Sequence, residues 1–302
     1  MGWMLIIISI FVVWVASLCK IFSSHSKPTF LNDGPAFHRR NVLLVVAHPD
    51  DESMFFSPTI SYLTSRGHNL YLLCLSVEEM PLSFLLFSLM VVNPFSFAKW
   101  EFFWYYHGLS VQPPSMSCQK GKEYGNADGM GSIRKDELYL ACAVHKVQLQ
   151  RVKVLDHPDL QDGFGKVWNH DLLAKIIEEE VYSHGIDVLI TFDSYGVSGH
   201  CNHGDVHYGV RKFLHDSSPR NIEAWELVSI NILLKYSGPL DIWLSTLDST
   251  RHPKGVMHCL LNEHPRKSFL AMAQHSSQWV WFRKLFVSFS SYTYVNTLRK
   301  IK

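Results

Sequence analysis

The sequence predicts an α/β protein: a mostly parallel sheet with helices on both faces, preceded by an apolar amino-terminal transmembrane helix. Three observations lead there. From residue 42 onward, strand-like runs alternate with helical segments, and such alternation implies a parallel sheet covered on both sides. The run Val42-Leu43-Leu44-Val45-Val46 is β-branched and leucine-rich without interruption, as a buried parallel strand should be. With 302 residues and 47% hydrophobic content, the chain can fill the core of one large domain.

Taken in order, Trp3 to Leu18 is almost wholly apolar and is bounded by Lys20. It lacks a charged leading segment and a small-x-small cleavage site, which favours a membrane anchor (residues 1–22) over a signal peptide. Lys20, Lys27, Arg39 and Arg40 follow it, so the positive-inside rule puts the rest of the chain in the cytosol. Residues 23–40, with Ser, Pro, Asn and Gly over Ser23–Pro35, read as a linker, and 41–302 as one domain. After the strand at 42–46 come a helix near Met54–Ser65, stopped by Gly67, and a strand at Leu70–Leu75. A helix near Ile133–His145 with Ser132 as N-cap is next, then a strand at Val152–Leu155. Asp171–Ser183 reads as a helix ending at Gly185, Val188–Phe192 as a strand, Gly204–Leu214 as a helix and Leu227–Leu234 as a strand.

Two segments break the rhythm. The stretch at about 77–124 is too long for a connection within a compact domain and reads as an insertion; its apolar part, Leu82–Phe97, also fits a re-entrant or interfacial element. In the tail, Trp279, Trp281, Phe282, Leu285, Phe286, Phe289, Tyr292 and Tyr294 interleave with Arg283 and Lys284. That pattern suits either a membrane interface or an amphipathic helix packed on the domain.

Charge and cysteine usage narrow the class. A net charge of +1 offers no field for nucleic acid. The six cysteines form no CxxC pair and no Asn-x-Ser/Thr acceptor is present, which fits a reduced, cytosolic compartment.

The chemistry sits at strand ends. Ala47-His48-Pro49-Asp50-Asp51-Glu52 directly follows the strand at 42–46, where ligands bind in open α/β sheets. An imidazole and three carboxylates suit a divalent metal with a spare base beside it. A second polar cluster follows the strand at 188–192: Asp193, then Gly196-Val197-Ser198-Gly199-His200-Cys201-Asn202-His203. His48, Asp51 and one of these histidines make three ligands, leaving a position for water, as in catalytic sites.

These two motifs together resemble the LmbE-like (PIG-L) family of zinc de-N-acetylases. The likeness extends through Gly125-Asn126-Ala127-Asp128-Gly129, Arg134-Lys135-Asp136-Glu137-Leu138, Asp156-His157-Pro158-Asp159, Thr191-Phe192-Asp193 and Trp281-Phe282-Arg283. It is strongest to the eukaryotic branch that deacetylates N-acetylglucosaminylphosphatidylinositol early in GPI-anchor synthesis. The resemblance implies a Rossmann-like fold and a Zn2+ site, with Fe2+ as the other metal such donors hold. By motif, His48, Asp51 and His203 are the ligands, with His207 as a rival one helical turn on. Asp50 is the general base, and His200 stabilises the oxyanion or helps protonate the leaving amine. Glu52 supports the loop. Arg134 binds a sugar hydroxyl or the inositol phosphate, or is a solvated helix residue; Asp159 accepts from a sugar hydroxyl.

The implied partners are a lipid-linked amino-sugar substrate and a membrane, with no nucleic acid, and the implied location is the endoplasmic reticulum membrane, single-pass, catalytic domain in the cytosol. Ser198 and Asn202 stand where some bacterial relatives carry tyrosine and aspartate. Nothing in the family matches the 77–124 insertion. The alternatives are a deacetylase of another N-acetylated sugar and a membrane-bound form disabled by that insertion.

Overall fold

A computed structural model describes residues 2–23, 30–31, 38–77, 130–162, 166–217, 222–253 and 255–301. The insertion at 77–124, all but its first residue, and the Gly125–Gly129 motif lie outside the described residues. In chain order the elements begin with helix α1 (Gly2–Ser23), strand β1 (Asn41–Val46), helices α2 (Asp51–Met54) and α3 (Ser57–Ser65) and strand β2 (Asn69–Cys74). Then come α4 (Met130–Val144), β3 (Val152–Val154), α5 (His170–His184), β4 (Val188–Phe192), the single turn α6 (Gly196–Gly199) and α7 (Cys201–Ser217). The last part holds β5 (Glu223–Leu227), α8 (Ile232–Lys235), α9 (Asp241–Arg251), β6 (Met257–Leu261), α10 (Pro265–Met272), α11 (Trp281–Phe289) and β7 (Val295–Lys300).

The sheet has seven strands in the order β3-β2-β1-β4-β5-β7-β6. The first five are parallel, while β7 pairs antiparallel with both β5 and β6. The mostly parallel α/β fold expected from the alternation is therefore present, with an antiparallel edge added by the tail. Chain order reverses between β1 and β4, which opens the crevice where a site belongs.

Period-two alternation divides the core. Val42, Leu44 and Val46 join Phe56, Ile60, Leu138 and Phe286 on one face. Leu43, Val45 and Ala47 join Leu173, Ile177, Val206 and Phe213 on the other. Local chemistry sets the helix ends: Asn169 caps α5 by accepting from the Asp171 and Leu172 amides, and Gly185 ends it in the left-handed region at φ 56°.

Several expectations shift. The helix expected at 54–65 is two helices, broken before Pro58 at the start of α3. The strand expected at Leu227–Leu234 is instead Glu223–Leu227, because Asn231 accepts from the Leu234 amide and starts α8. Part of the linker is docked, since Phe30 is fully buried and accepts from the Tyr62 hydroxyl at 2.7 Å. The tail is mainly packed structure: Arg283, Phe286, Tyr292 and Tyr294 are buried, whereas Trp281, Leu285 and Phe289 are exposed. Among the described residues the cysteines are all free.

Helix α1 is long and apolar enough to cross a membrane and is mostly exposed. Among the described residues, its last turns touch the domain. Ser17 accepts from Trp243 Nε1 at 2.8 Å, Lys20 lies over the Trp243 ring at 4.1 Å, and Ile21 packs with Ile242 and Val295.

Candidate active site

Strand β1 ends by folding its own motif into a tight turn. Asp51, opening α2, accepts on Oδ2 from the amides of Ala47 at 3.0 Å and His48 at 2.9 Å. That frees Oδ1 to meet His203 Nε2 at 3.2 Å. Burial by itself pushes the Asp51 carboxyl up, but the His203 and His48 rings and their hydrogen bonds outweigh it and hold the group below the ordinary carboxylate range. The turn bends Asp50 to φ 120°, a backbone state that costs energy and marks functional loops.

His203 comes from the first turn of α7. Its Nδ1 lies 3.0 Å from the Gly196 carbonyl, which makes Nδ1 the donor and turns Nε2 toward Asp51. The ring stacks on Phe192 with centroids 4.1 Å apart. Gly196 sits at φ 62°, and a Cβ there would lie 2.4 Å from the His203 Cβ. Gly196→Ala is therefore expected to destabilise the fold by about 2–4 kcal/mol and displace His203. A chemical-denaturation midpoint unchanged from wild type would contradict this.

The histidines converge. One ligand atom each from His48, His200 and His203 lie within 4.8 Å of one another. Burial, reinforced by the His48 and His203 rings, pushes the His200 imidazole down to about 3, so it is neutral at physiological pH. His207, the rival ligand, is held elsewhere by the Phe192 carbonyl at 3.1 Å and Glu226 at 3.2 Å. The donor set fits a divalent cation: three converging imidazoles and a buried carboxylate held below the ordinary range, the types that zinc and iron(II) prefer.

Asp50 faces a partner from the far end of the chain. Arg283 of α11 pairs with the Asp50 carboxylate and with Gln278 Oε1, and both ionic partners are buried. Burial pushes the Arg283 guanidinium down to about 9, which leaves it charged at neutral pH. Gln278 donates to the Pro49 carbonyl at 3.0 Å, so two tail residues brace the motif. Glu52 behaves as the loop support expected of it: it accepts from the Asp50 amide at 3.1 Å and from Ser53 Oγ at 2.6 Å, and it meets His275 Nε2 at 2.8 Å.

The second loop is held by Asp193, which accepts from the Gly196 amide at 3.0 Å and from Ser229 Oγ at 2.6 Å. Asn202 anchors to the Lys166 carbonyl at 2.9 Å, and Ser198 is exposed.

Two expected substrate residues fall differently. Arg134 is buried on the face of α4 that also carries Glu137 and Leu138, so it is not a solvated helix residue. Asp159 is exposed beside His157, and the same loop instead brings Asp162 inward, 3.1 Å from His48 Nε2 and 3.8 Å from His200 Nε2. Asp162, Gln278 and His275 lie outside the motifs, although Asp156-His157-Pro158-Asp159 ends three residues before Asp162; Arg283 closes the Trp281-Phe282-Arg283 likeness, without a role being assigned to it.

Known proteins resemble this chain in sequence and in fold. The chain is 31% identical to a probable N-acetylglucosaminyl-phosphatidylinositol de-N-acetylase of Schizosaccharomyces pombe, over 86% of each chain. It is 31% identical to the Bos taurus N-acetylglucosaminyl-phosphatidylinositol de-N-acetylase, over 85% of this chain and 81% of that one. A probable counterpart in Dictyostelium discoideum is 28% identical over 89% of this chain and 96% of its own. In fold, the structure is similar to N,N′-diacetylchitobiose deacetylase from Pyrococcus horikoshii, with a TM-score of 0.54 at 11% identity over 95% of this chain and 92% of that one. It is also similar to the A40926 pseudoaglycone deacetylase, with a TM-score of 0.51 at 13% identity over 87% and 97%. Residues 43–214 match the model of the PIG-L family, described as GlcNAc-PI de-N-acetylase, and the chain belongs to that family.

Proposed function

We propose that this chain hydrolyses the acetamide of N-acetylglucosaminylphosphatidylinositol, releasing acetate and glucosaminylphosphatidylinositol, an early step of GPI-anchor synthesis. The observation that carries the reading is the group of His48, Asp51, His200 and His203, all but His200 buried, beside Asp50 at the β1–β4 switch point, in a chain of this family.

His48, Asp51 and His203 would hold a divalent cation, zinc by preference. Such an ion would supply Lewis acidity toward the attacking water and the acetamide carbonyl. Asp50 accepts a proton from the attacking water, and Arg283 holds that carboxylate in place. His200, its imidazole pushed down to about 3 by burial, donates a hydrogen bond to the developing oxyanion. The proton on Asp50 then passes to the glucosamine nitrogen as the carbon–nitrogen bond breaks. Asp162 orients the His48 ring, 3.1 Å from its Nε2, and lies near His200. The buried Arg134 is the residue for the inositol phosphate or a sugar hydroxyl; Asp159, exposed on its loop, serves a sugar hydroxyl at the outer edge.

Arg283→Met is expected to lower kcat roughly 10- to 100-fold, short of the full general-base contribution, because Asp50 stays present but unaimed. Equal kcat in the two proteins would contradict that role. Helix α1 would anchor the chain in the endoplasmic reticulum membrane, and Lys20, Arg39 and Arg40 after it favour a cytosolic domain.

The assay that tests the substrate is acetate release by the full chain in proteoliposomes holding N-acetylglucosaminylphosphatidylinositol. N,N′-diacetylchitobiose serves as the soluble rival, and a variant lacking Val77–Tyr124 runs alongside. Release from the lipid by the full chain is expected. Release from chitobiose alone would favour the other-sugar reading. Activity only in the shortened variant would identify the intact chain as the disabled form.

A further inference from the structure

We infer that helices α8, α9 and α11 form a second membrane contact, a surface that lies on an anionic phospholipid bilayer beside the point where α1 enters it. The inference goes beyond the reaction and rests on α1 spanning a bilayer, not on the catalytic assignment.

Three helices expose large apolar side chains. Helix α11 shows Trp281, Leu285 and Phe289, spaced by four and so forming one stripe. Helix α9 shows Trp243, Leu244 and Leu247 on one face, and the α8 segment shows Ile232, Leu233 and Tyr236, with Leu233 at 83% exposure. Side chains like these, gathered together on a folded domain, mark an interaction surface. The short 3-10 turn Gly238–Leu240 brings them together, since α1, α8, α9 and α11 all pack against it. Trp14 of α1 lies against Gly238, and Ser17 and Lys20 of α1 hold Trp243. The apolar surface is thus continuous with the end of the candidate membrane span.

Charge selects the partner. No Asp or Glu occurs after Glu263, while Arg266, Lys267 and Lys284 border the exposed apolar residues of α10 and α11. Asp241 of α9 is buried, where it accepts from Ser245, and Asp248 lies by His252. Tryptophan and tyrosine beside basic residues match the headgroup region of a bilayer, and an amphipathic helix such as α11 lies in its plane. The opposite side of α11 carries Arg283 onto Asp50. The bilayer surface and the general base are then separated by one helix, about 10 Å across. A phosphoinositide keeps its acyl chains in the membrane while its sugar reaches the site.

The test uses the full chain in vesicles of phosphatidylcholine with one-quarter phosphatidylserine. A photo-crosslinking p-benzoylphenylalanine is placed in turn at Leu285, Leu247 and Leu233, and at Tyr182 and Tyr208 as exposed positions on the opposite face of the sheet. Carbonate extraction checks that α1 is inserted. At least tenfold more phospholipid adduct at the first three positions is expected. Equal lipid adduct at all five, or adducts to a second copy of the chain instead of lipid, would overturn the inference. Because crosslinking needs no turnover, failure of the reaction assignment leaves this result readable. As a second measurement, Leu285→Glu is expected to raise KM for vesicle-borne substrate about tenfold; an unchanged KM would count against the surface.

Discussion

Asp50→Asn is expected to lower acetate release roughly 10²- to 10⁴-fold while the protein keeps its metal and its fold. Asparagine retains the shape of the side chain and an oxygen that accepts from Arg283, so the buried guanidinium keeps a hydrogen bond although it loses its counter-charge. Asp50→Ala should abolish release as well, but it leaves Arg283 charged and unpaired in the interior, which by itself costs about 3–5 kcal/mol. Comparing the two separates chemistry from folding: both lose kcat to a similar extent, and alanine, which removes the hydrogen-bond acceptor as well as the charge, loses more stability. Metal analysis of the asparagine variant decides the role. Full metal content with lost turnover marks a proton carrier, whereas loss of the metal would make Asp50 a ligand and overturn the assignment.

His203→Ala is expected to remove both metal and activity, a loss at least as large as that of Asp50→Asn. His203 is the residue on which the two strand-end loops meet, through Asp51 at 3.2 Å and the Gly196 carbonyl at 3.0 Å. Its removal deletes a donor and leaves Asp51 without its main compensating neighbour, so the buried carboxyl shifts upward and binds a cation less well. His207→Ala is the contrast. That ring answers to Glu226 and the Phe192 carbonyl, and its loss should spare metal content. Equal metal loss in both variants would contradict the ligand set.

The metal-side half of the site was legible because it is local. His48 and Asp51 are joined by a turn of four residues, and His200 and His203 share one loop at the start of a helix. Strand ends place the two motifs side by side. The tail's contribution was not legible, since Arg283 lies 233 positions from Asp50 and His275 lies 223 from Glu52, and no local pattern encodes such pairings. The interleaved aromatics and cations of 279–294 read as either a membrane interface or a helix packed on the domain, and neither reading turned Arg283 inward onto Asp50. The strand at 223–227 was hidden for a similar reason. Glu223 and Glu226 look wrong for a strand until Arg299 of β7 pairs with Glu226, an antiparallel neighbour that local periodicity does not reveal. The apolar run after it read as the strand, yet Asn231 caps a helix there.

The central claim is a cation-dependent deacetylation at His48, Asp51 and His203. Its most direct test is acetate release from N-acetylglucosaminylphosphatidylinositol by the full chain before chelation, after chelation with metal loss verified, and after zinc is restored. The account predicts release, then loss, then recovery, with no recovery in His203→Ala. Undiminished release by the verified metal-free protein would contradict it.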